Sequence, residues 1–266
     1  MDIPLISAGA LAEQLETIKL FDLRWSLTDP AHGLRSYQAG HIPGAVFVDL
    51  ERDLSAPKGD GRHPLPGITE FVDTLGRLGI SRDDRVVVYD DAGGAVAARL
   101  WWMLTSIGHD VVRVLDGGIA SWAQSGFPLE TTVRSPEPAT YPEVSRFTGA
   151  LRHDELNGRS LADVRAPERY RGDIEPIDPK AGHIPGAVNY PIAGNLEDGV
   201  FRSSEDLAAR YQAFPQGGVL YCGSGVNACH AALALTIAGR PMPDIYVGSF
   251  SDWSRRDLPV STGPNP

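Results

Sequence analysis

The chain carries the same seven-residue segment twice. GHIPGAV occupies residues 40–46 and again residues 182–188. Each copy follows an apolar segment that ends in an acidic residue, one further residue and an arginine, in FDLR at 21–24 and LADVR at 161–165. Because self-similarity of this kind indicates one structural unit used twice, the chain should fold into two related domains.

The order of segments within the first copy predicts the architecture. Amphipathic stretches at 68–79 and 95–108 alternate with short apolar runs, VVVYD at 86–90 and VVRVL at 111–115. Short β-type runs that alternate with helical patterns are typical of parallel sheets with helices on both faces. We therefore expect an α/β fold with two tandem domains, each a mainly parallel sheet with helices on both faces.

The domain boundaries follow from composition. Residues 131–148 contain three prolines and no regular apolar period, which is typical of a linker. The first domain is therefore expected at 1–130 and the second at 149–266. A chain of 266 residues with 42% hydrophobic content has enough apolar material for two cores.

The charge and cysteine content exclude several classes of protein. The formal net charge is -10, and no long Lys/Arg cluster opposes it, so a nucleic acid partner is not expected. No uninterrupted apolar stretch reaches the ~20 residues that span a bilayer, so we expect no membrane insertion. Two cysteines and no basic-plus-apolar N-terminal segment argue against a secreted disulfide scaffold and favour a cytoplasmic location.

Cys222 has the setting of a nucleophile. It follows the apolar run GVLY and opens the loop CGSGVNA at 222–228, after which the chain has a helical pattern. Backbone N–H groups converge where such a turn meets a helix N-terminus, which favours a thiolate. The competing interpretation is a small buried hydrophobe, because free cysteine is commonly buried. For Cys229, inside the predicted helix, packing is the better interpretation.

The first copy lacks this thiol. VVVYD aligns with GVLYC, so Asp90 stands where the second copy has Cys222. Both copies keep the GHIPGA histidines, His41 and His183, although only one copy keeps the cysteine. We therefore expect these histidines to shape a loop, and the first domain to have no nucleophile of its own.

Taken together, these motifs resemble one known family. The tandem GHIPG units, the acidic-x-Arg strand ends, the CGSGV loop in the second copy alone and the closing segment GSFSDW at 248–253 are similar to the two-domain rhodanese superfamily. Within it the resemblance is to 3-mercaptopyruvate and thiosulfate sulfurtransferases. The resemblance implies that Cys222 carries a persulfide between two half-reactions, without a metal or an organic cofactor.

The resemblance also assigns the anion-binding loop. Backbone amides of Gly223, Gly225, Val226 and Asn227 are expected to hold the substrate and the persulfide. Mercaptopyruvate enzymes carry Gly-Ser directly after the cysteine, as here, whereas thiosulfate enzymes usually carry basic residues. Asn227 stands where the family commonly has threonine, and both side chains can cap a helix.

Two arginines match the family's substrate anchors. Arg169 matches the main anchor and Arg165 a second arginine, and a guanidinium can hold a carboxylate through two parallel hydrogen bonds. An ion pair of Arg165 with Asp163 or Glu168 that only ties a loop is an equally good interpretation. Mercaptopyruvate enzymes often have another arginine nine residues after the anchor, but here that position is Asp178, which argues against this donor.

Three further residues match the family's proton-transfer group. Ser224 matches by its place in the loop, His63 lies in the segment HPLP, and Glu51 stands where the family has an aspartate. Histidine suits proton transfer near neutral pH, and a carboxylate can fix its tautomer. Without the resemblance, His63 would be interpreted as a surface histidine.

The resulting hypothesis is transfer of sulfur from 3-mercaptopyruvate, through a Cys222 persulfide, to a thiol, a thioredoxin-like protein or cyanide. Thiosulfate:cyanide sulfurtransfer is the alternative, and a persulfide carrier without turnover is the second alternative. A cysteine-dependent phosphatase needs an arginine six residues after the cysteine, but this position is Ala228. A zinc site is not expected, because Cys229 and His230 point about 100° apart on a helix.

Overall fold

The structure is a computed structural model, and it describes residues 3–265. Within this range the chain forms two compact units. The segment Ala56–Leu65 lies in the first repeat of the sequence but belongs to the second unit. The first unit consists of residues 3–55, Pro66–Phe147 and Gly199–Phe201, and the second consists of Ala56–Leu65, Thr148–Asp198 and residues 202–265.

The first unit is built on a five-stranded parallel sheet. Its strands are β1 Leu5–Ile6, β2 Lys19–Asp22, β3 Val46–Phe47, β4 Val86–Tyr89 and β5 Val112–Leu115. They lie in the order β1-β5-β4-β2-β3, and every neighbouring pair is parallel. The helices are α1 Ala8–Ala12, α2 His32–Ala39, α3 Leu50–Asp53, α4 Ile68–Arg77, α5 Ala97–Ser106 and α6 Gly118–Gln124, with a 3-10 turn at Leu15–Thr17.

The core of this unit follows the alternation of strand side chains. Val87 and Tyr89 of β4 face a cluster that includes Leu11 of α1, Tyr37 of α2 and Trp122 of α6. The intervening residues of β4 point to the other face of the sheet, and helix α5 packs against β4 and β5. The near-continuous apolar run of β4 is therefore explained by burial on both faces.

The second unit repeats this architecture. The strands of the second unit are β6 Ala150–Leu151, β7 Leu161–Asp163, β8 Val188–Asn189, β9 Leu196–Glu197, β11 Val219–Tyr221 and β12 Asp244–Tyr246, and the intervening strand β10 Val200–Phe201 belongs to the first unit. The sheet has the order β6-β12-β11-β7-β8, which is the order of the first sheet with the corresponding strands, and all its pairs are parallel. The helices are α7 Pro167–Arg171, α8 Ser204–Arg210, α9 Val226–Ile237 and α10 Ser249–Trp253, with 3-10 turns at His153–Glu155 and Ile192–Asn195.

The two sheets confirm the predicted fold class and the repeat. On one face of the second sheet, Val219 and Tyr221 of β11 join a cluster with Tyr246 and Phe250. Helix α9 is buried along most of its length and packs against β11. Among residues 3–265, no helix combines the length and the apolar character that crossing a bilayer requires.

The proline-rich segment at 131–148 packs closely on the first unit. Tyr141 is buried, and its hydroxyl lies 3.0 Å from His109 Nδ1. The ring of Phe147 packs against Phe71 with centroids 5.3 Å apart. Although the prolines remove regular secondary structure, these aromatic rings still bury apolar surface. The domain boundaries at 130 and 149 stay predictions.

The histidines of the two GHIPGA segments have equivalent surroundings. His41 stacks on Tyr37 with ring centroids 3.8 Å apart, and its Nδ1 lies 2.7 Å from the Tyr37 carbonyl oxygen. His183 stacks on Tyr170 at 3.9 Å, with the corresponding distance 2.8 Å. Both histidines are fully buried. This packing supports the interpretation of the motif as a loop-shaping element.

Candidate active site

Cys222 lies directly after β11, at the carboxyl end of the central strand of the second sheet. The residue is 2% exposed. The sequence predicted a loop as far as residue 228, but helix α9 already begins at Val226. The reason is Gly225, which caps the helix in the left-handed conformation with φ 82°. Val226 and Asn227 therefore lie in the first helical turn.

The sulfur of Cys222 faces this helix start. The backbone N–H of Gly225 donates to Sγ at 3.1 Å. This is the end of a helix where free N–H groups and the positive end of the dipole favour an anion. Cys229, one turn into α9, is buried, and its Sγ donates to the Gly225 carbonyl at 3.2 Å, which agrees with a packing role.

The segment GSFSDW at 248–253 holds the cysteine turn in place. Ser249 Oγ accepts a hydrogen bond from Cys222 N at 3.1 Å, and Phe250 N donates to the Cys222 carbonyl at 3.0 Å. Ser249 has a φ of 54°, a left-handed conformation that is costly for a residue with a side chain. The bonds it makes to Cys222 and to the Tyr246 carbonyl support this strained backbone.

The same segment also holds the chain before His63. Ser251 N donates to the Gly223 carbonyl at 2.8 Å, and Ser251 Oγ accepts from Arg62 N at 2.9 Å. The cysteine turn and the segment Ala56–Leu65 are therefore fixed to one short element. In the sequence this segment was only a motif of the family, and its anchoring role appears in the structure.

His63 and Ser224, which the family resemblance had grouped together, are in contact. His63 Nδ1 and Ser224 Oγ are 2.9 Å apart, and both residues are buried. Glu51, the third predicted member, belongs to helix α3 of the first unit, and the residue is exposed. Its backbone N–H bonds to Asp49 Oδ1 at 2.9 Å, which caps that helix. The role of Glu51 stays a prediction.

Arg165 is held in a buried ion pair with Asp163. Its Nη2 lies 2.6 Å from Asp163 Oδ2 and 2.6 Å from the Gly182 carbonyl oxygen. The first unit has the same arrangement in Arg24 and Asp22, with Nη2 to Oδ2 also 2.6 Å. Because the pair recurs in the unit without the cysteine, the structure favours the interpretation of Arg165 as a residue that ties a loop.

Two carboxylates, those of Glu175 and Asp178, already accept hydrogen bonds from Arg169. Its Nε and Nη2 donate to Glu175 at 3.1 and 2.7 Å, and Nη2 also donates to Asp178 at 3.0 Å. Burial works to raise the pKa of Glu175, but the bonds from Arg169 and from two backbone N–H groups prevail and lower it. Glu175 is therefore a carboxylate. Within residues 3–265, Arg169 Nη1 makes no hydrogen bond.

Arg62 was not anticipated from the sequence. Its Nη1 donates to Asp178 Oδ1 at 2.6 Å, and its buried Nε has no partner in the described part of the chain. A Cβ added to Gly223 would lie 2.9 Å from Arg62 Nη2 and 3.5 Å from Arg169 Nη1. Both guanidiniums thus approach the residue that follows Cys222. Two features of the sequence could have pointed to Arg62: it directly precedes His63, and the glycine at position 223 leaves room for a guanidinium.

The first unit shows what its own version of this turn can hold. Asp90, in the position of the cysteine, is fully buried. Burial raises the pKa of its carboxyl group, and hydrogen bonds from backbone amides oppose that rise. The four donors, each at 2.8 Å, are the backbone N–H groups of Ala92, Gly94, Val96 and Ala97. A strand-turn-helix unit of this kind therefore gathers enough amides to surround an anionic group.

No group of three or more His, Cys, Asp or Glu residues within 3–265 is arranged to hold a metal ion. Polar side chains near the cysteine turn include the Ser224 and Ser249 hydroxyls, the His63 imidazole and the guanidiniums of Arg62 and Arg169. This set can bind an anion and move a proton beside a sulfur nucleophile.

Comparison with known proteins gives consistent results. The rhodanese-like domain family matches residues 7–125 and 149–256. A protein of Pseudomonas aeruginosa named "probable 3-mercaptopyruvate sulfurtransferase" is 45% identical over 97% of this chain and 98% of its own length. The thiosulfate sulfurtransferase of Rattus norvegicus is 36% identical over 96% of this chain and 93% of its own.

A solved structure agrees with these relatives. The 3-mercaptopyruvate sulfurtransferase from Leishmania major superimposes with a TM-score of 0.86 at 31% identity. The match covers 94% of this chain and 74% of that one.

Proposed function

Because this chain belongs to the family of proteins with rhodanese-like domains, we propose that it is a sulfurtransferase that takes sulfur from 3-mercaptopyruvate and carries it as a persulfide on Cys222. The observation that supports this most directly is the pair of guanidinium groups beside Gly223. They provide unpaired donors for a carboxylate at the residue next to the nucleophile.

In the first half-reaction the Cys222 thiolate attacks the sulfur of 3-mercaptopyruvate. A sulfur–sulfur bond forms, the bond between that sulfur and the substrate CH₂ carbon breaks, and the electron pair of the broken bond leaves with the carbon as the enolate of pyruvate. One proton then converts the enolate to pyruvate. The substrate thiol proton stays on the outer sulfur of the persulfide.

The arginines orient the donor in this step. Arg62 offers Nε and Nη2, the edge of a guanidinium that fits a carboxylate through two parallel hydrogen bonds. Arg169 adds Nη1. A carboxylate held beside Gly223, the residue that follows Cys222, directs the thiol sulfur of a three-carbon keto acid toward Sγ. Such positioning is a large part of the catalysis available to an enzyme.

Ser224 and His63 supply the proton. Their 2.9 Å contact lets the serine hydroxyl exchange a proton with the imidazole, while Ser224 is only two residues from Cys222. The variant His63→Gln tests this proton transfer.

The persulfide is stabilised by backbone amides of the turn. Asp90 in the first unit provides the comparison, because a carboxylate oxygen is two bonds from Cβ, as is the outer sulfur of a cysteine persulfide. Four amides surround the Asp90 oxygens. In the second unit, Gly225 N already reaches the inner sulfur at 3.1 Å, and Gly223, Val226 and Asn227 would supply further amides for the outer one.

In the second half-reaction an acceptor attacks the outer sulfur. With cyanide, the sulfur leaves as thiocyanate, Cys222 returns as the thiolate, and one proton is released. A thiol or a thioredoxin-like protein would accept sulfur in the same way and become the persulfide. We propose a cytoplasmic location, which the two free cysteines support, since reducing compartments keep thiols unpaired.

The experiment is steady-state turnover of the full chain with cyanide as acceptor, comparing kcat/KM for 3-mercaptopyruvate and thiosulfate. We expect turnover with 3-mercaptopyruvate as the better donor, and none with Cys222→Ser; Cys229→Ser is the matched control and should retain activity. A higher kcat/KM for thiosulfate would mean that thiosulfate, and not 3-mercaptopyruvate, is the preferred donor. A single stoichiometric transfer without repeated turnover would indicate a persulfide carrier instead.

A further inference from the structure

Asp178 has an unusual position between the two arginines that approach Gly223. Its side chain is fully buried, and each carboxylate oxygen accepts from a different guanidinium. Oδ1 bonds to Arg62 Nη1 at 2.6 Å and Oδ2 to Arg169 Nη2 at 3.0 Å. The two cations are therefore joined through one buried anion.

This contact extends into a chain of ion pairs with alternating charge. Glu175 links Arg169 to Arg165, which in turn pairs with Asp163. The network contains three guanidiniums and three carboxylates, so its formal charge is zero. Its members, in order of contact, are Arg62, Asp178, Arg169, Glu175, Arg165 and Asp163.

The electrostatic potential at the unpaired donors is therefore less positive than it would be beside two arginines without carboxylate partners. Arg62 Nε and Nη2 and Arg169 Nη1 can still donate hydrogen bonds, but the Asp178 carboxylate is bonded to both of these guanidiniums. A ligand with one negative charge can use these donors at little electrostatic cost. A ligand with two charges is repelled twice as strongly by the same carboxylate.

We propose that Asp178 sets the specificity for the sulfur donor: by limiting the positive charge beside Cys222, it favours a singly charged carboxylate and disfavours a doubly charged oxyanion such as thiosulfate. This inference rests on the proposed function and deepens it. Asp178 acts through Arg62 and Arg169, so it is a specificity-determining residue that does not touch the reacting sulfur.

The test is the ratio of kcat/KM for thiosulfate to that for 3-mercaptopyruvate in Asp178→Asn. At a separation of roughly 6 Å between the Asp178 carboxylate and the ligand, and with an effective dielectric constant of about 20, each additional negative charge on the ligand lowers its affinity by about a hundredfold. Because both guanidiniums are partly exposed, we expect the ratio to rise by at least about tenfold. An unchanged or lower ratio, including an equal loss with both donors, would overturn the inference.

Asp173→Asn is the matched control. It removes the same charge five residues away, where Asp173 pairs with Arg171 in an exposed contact. The ratio in this variant should stay at the wild-type value. A rise as large as that in Asp178→Asn would mean that the net charge of the chain, and not the buried bridge, sets the preference.

Anion binding separates this inference from the proposed function. By calorimetry, the wild-type chain should bind pyruvate more tightly than sulfate, and Asp178→Asn should gain at least about tenfold in sulfate affinity with a smaller gain for pyruvate. If neither donor places sulfur on Cys222, the proposed function is wrong, but this binding comparison still decides the role of Asp178. Tighter binding of sulfate than pyruvate by the wild type would refute it, even if the variant does not fold.

Discussion

Replacing Asp90 with asparagine should strongly destabilise the first unit. The carboxylate is fully buried and accepts four backbone hydrogen bonds, two on each oxygen. Asparagine keeps one oxygen and turns an NH₂ group toward the other two N–H groups, which then have no acceptor. Each unsatisfied buried donor costs about 1–3 kcal/mol, and the remaining bonds lose their charge assistance.

The expected loss is therefore about 3–6 kcal/mol in the free energy of unfolding, which is a large part of the stability of an ordinary domain. The assay is equilibrium unfolding in urea followed by tryptophan fluorescence. Four of the five tryptophans, Trp25, Trp101, Trp102 and Trp122, lie in the first unit, so the signal reports mainly on it.

Asp91→Asn is the neighbouring control. Asp91 pairs with His32 at 2.9 Å, and both side chains are about one-third exposed, so the change should cost less than about 1 kcal/mol. If Asp90→Asn were as stable as this control, the four amides would not be holding an anion, and the comparison between the Asp90 turn and a persulfide turn would lose its basis.

Three further changes test the second unit. Gly223→Ala should raise KM for 3-mercaptopyruvate by about tenfold or more with a smaller effect on kcat, because the new methyl group would displace Arg62; an unchanged KM would contradict the carboxylate site. His63→Gln should lower kcat by about a hundredfold while a sulfur atom can still be found on Cys222, and full kcat would exclude the proton-transfer role. Glu175→Gln should destabilise the chain at neutral pH. The pKa of Glu175 is lower in the folded chain than its ordinary value of 4.5, so its carboxylate stabilises the folded chain above pH 4.5. This stabilisation disappears as the pH falls through the folded-state pKa. The free energies of unfolding of wild type and variant, measured in urea, should therefore converge in acid.

The local features of the fold were predictable from sequence. Strand β4 and helices α4 and α5 lie where the apolar periods placed them, and the repeated motif correctly indicated two similar sheets. Cys222 was recognisable because its setting depends on residues adjacent in the chain. The start of α9 was placed too late, since the left-handed conformation of Gly225 cannot be distinguished in sequence from that of a glycine within a loop.

The site beyond the cysteine depends on distant residues. His63 meets Ser224 across 161 positions of sequence, and Arg62 meets Asp178 across 116. No local pattern encodes such contacts, so His63 was found only through the family resemblance and Arg62 was missed. Asp178 was noticed only as an objection to mercaptopyruvate, and its bridging position became visible once the side chains were placed.

The most direct test of the central claim is mass spectrometry of the full chain after incubation with 3-mercaptopyruvate and without an acceptor. No Lys or Arg lies between Cys222 and Cys229, so both fall within one tryptic peptide and fragment ions must separate them. We expect one added sulfur atom on Cys222, none on Cys229, and loss of the added sulfur when cyanide is supplied. Continued turnover with Cys222 unmodified, or with the sulfur on Cys229, would contradict it.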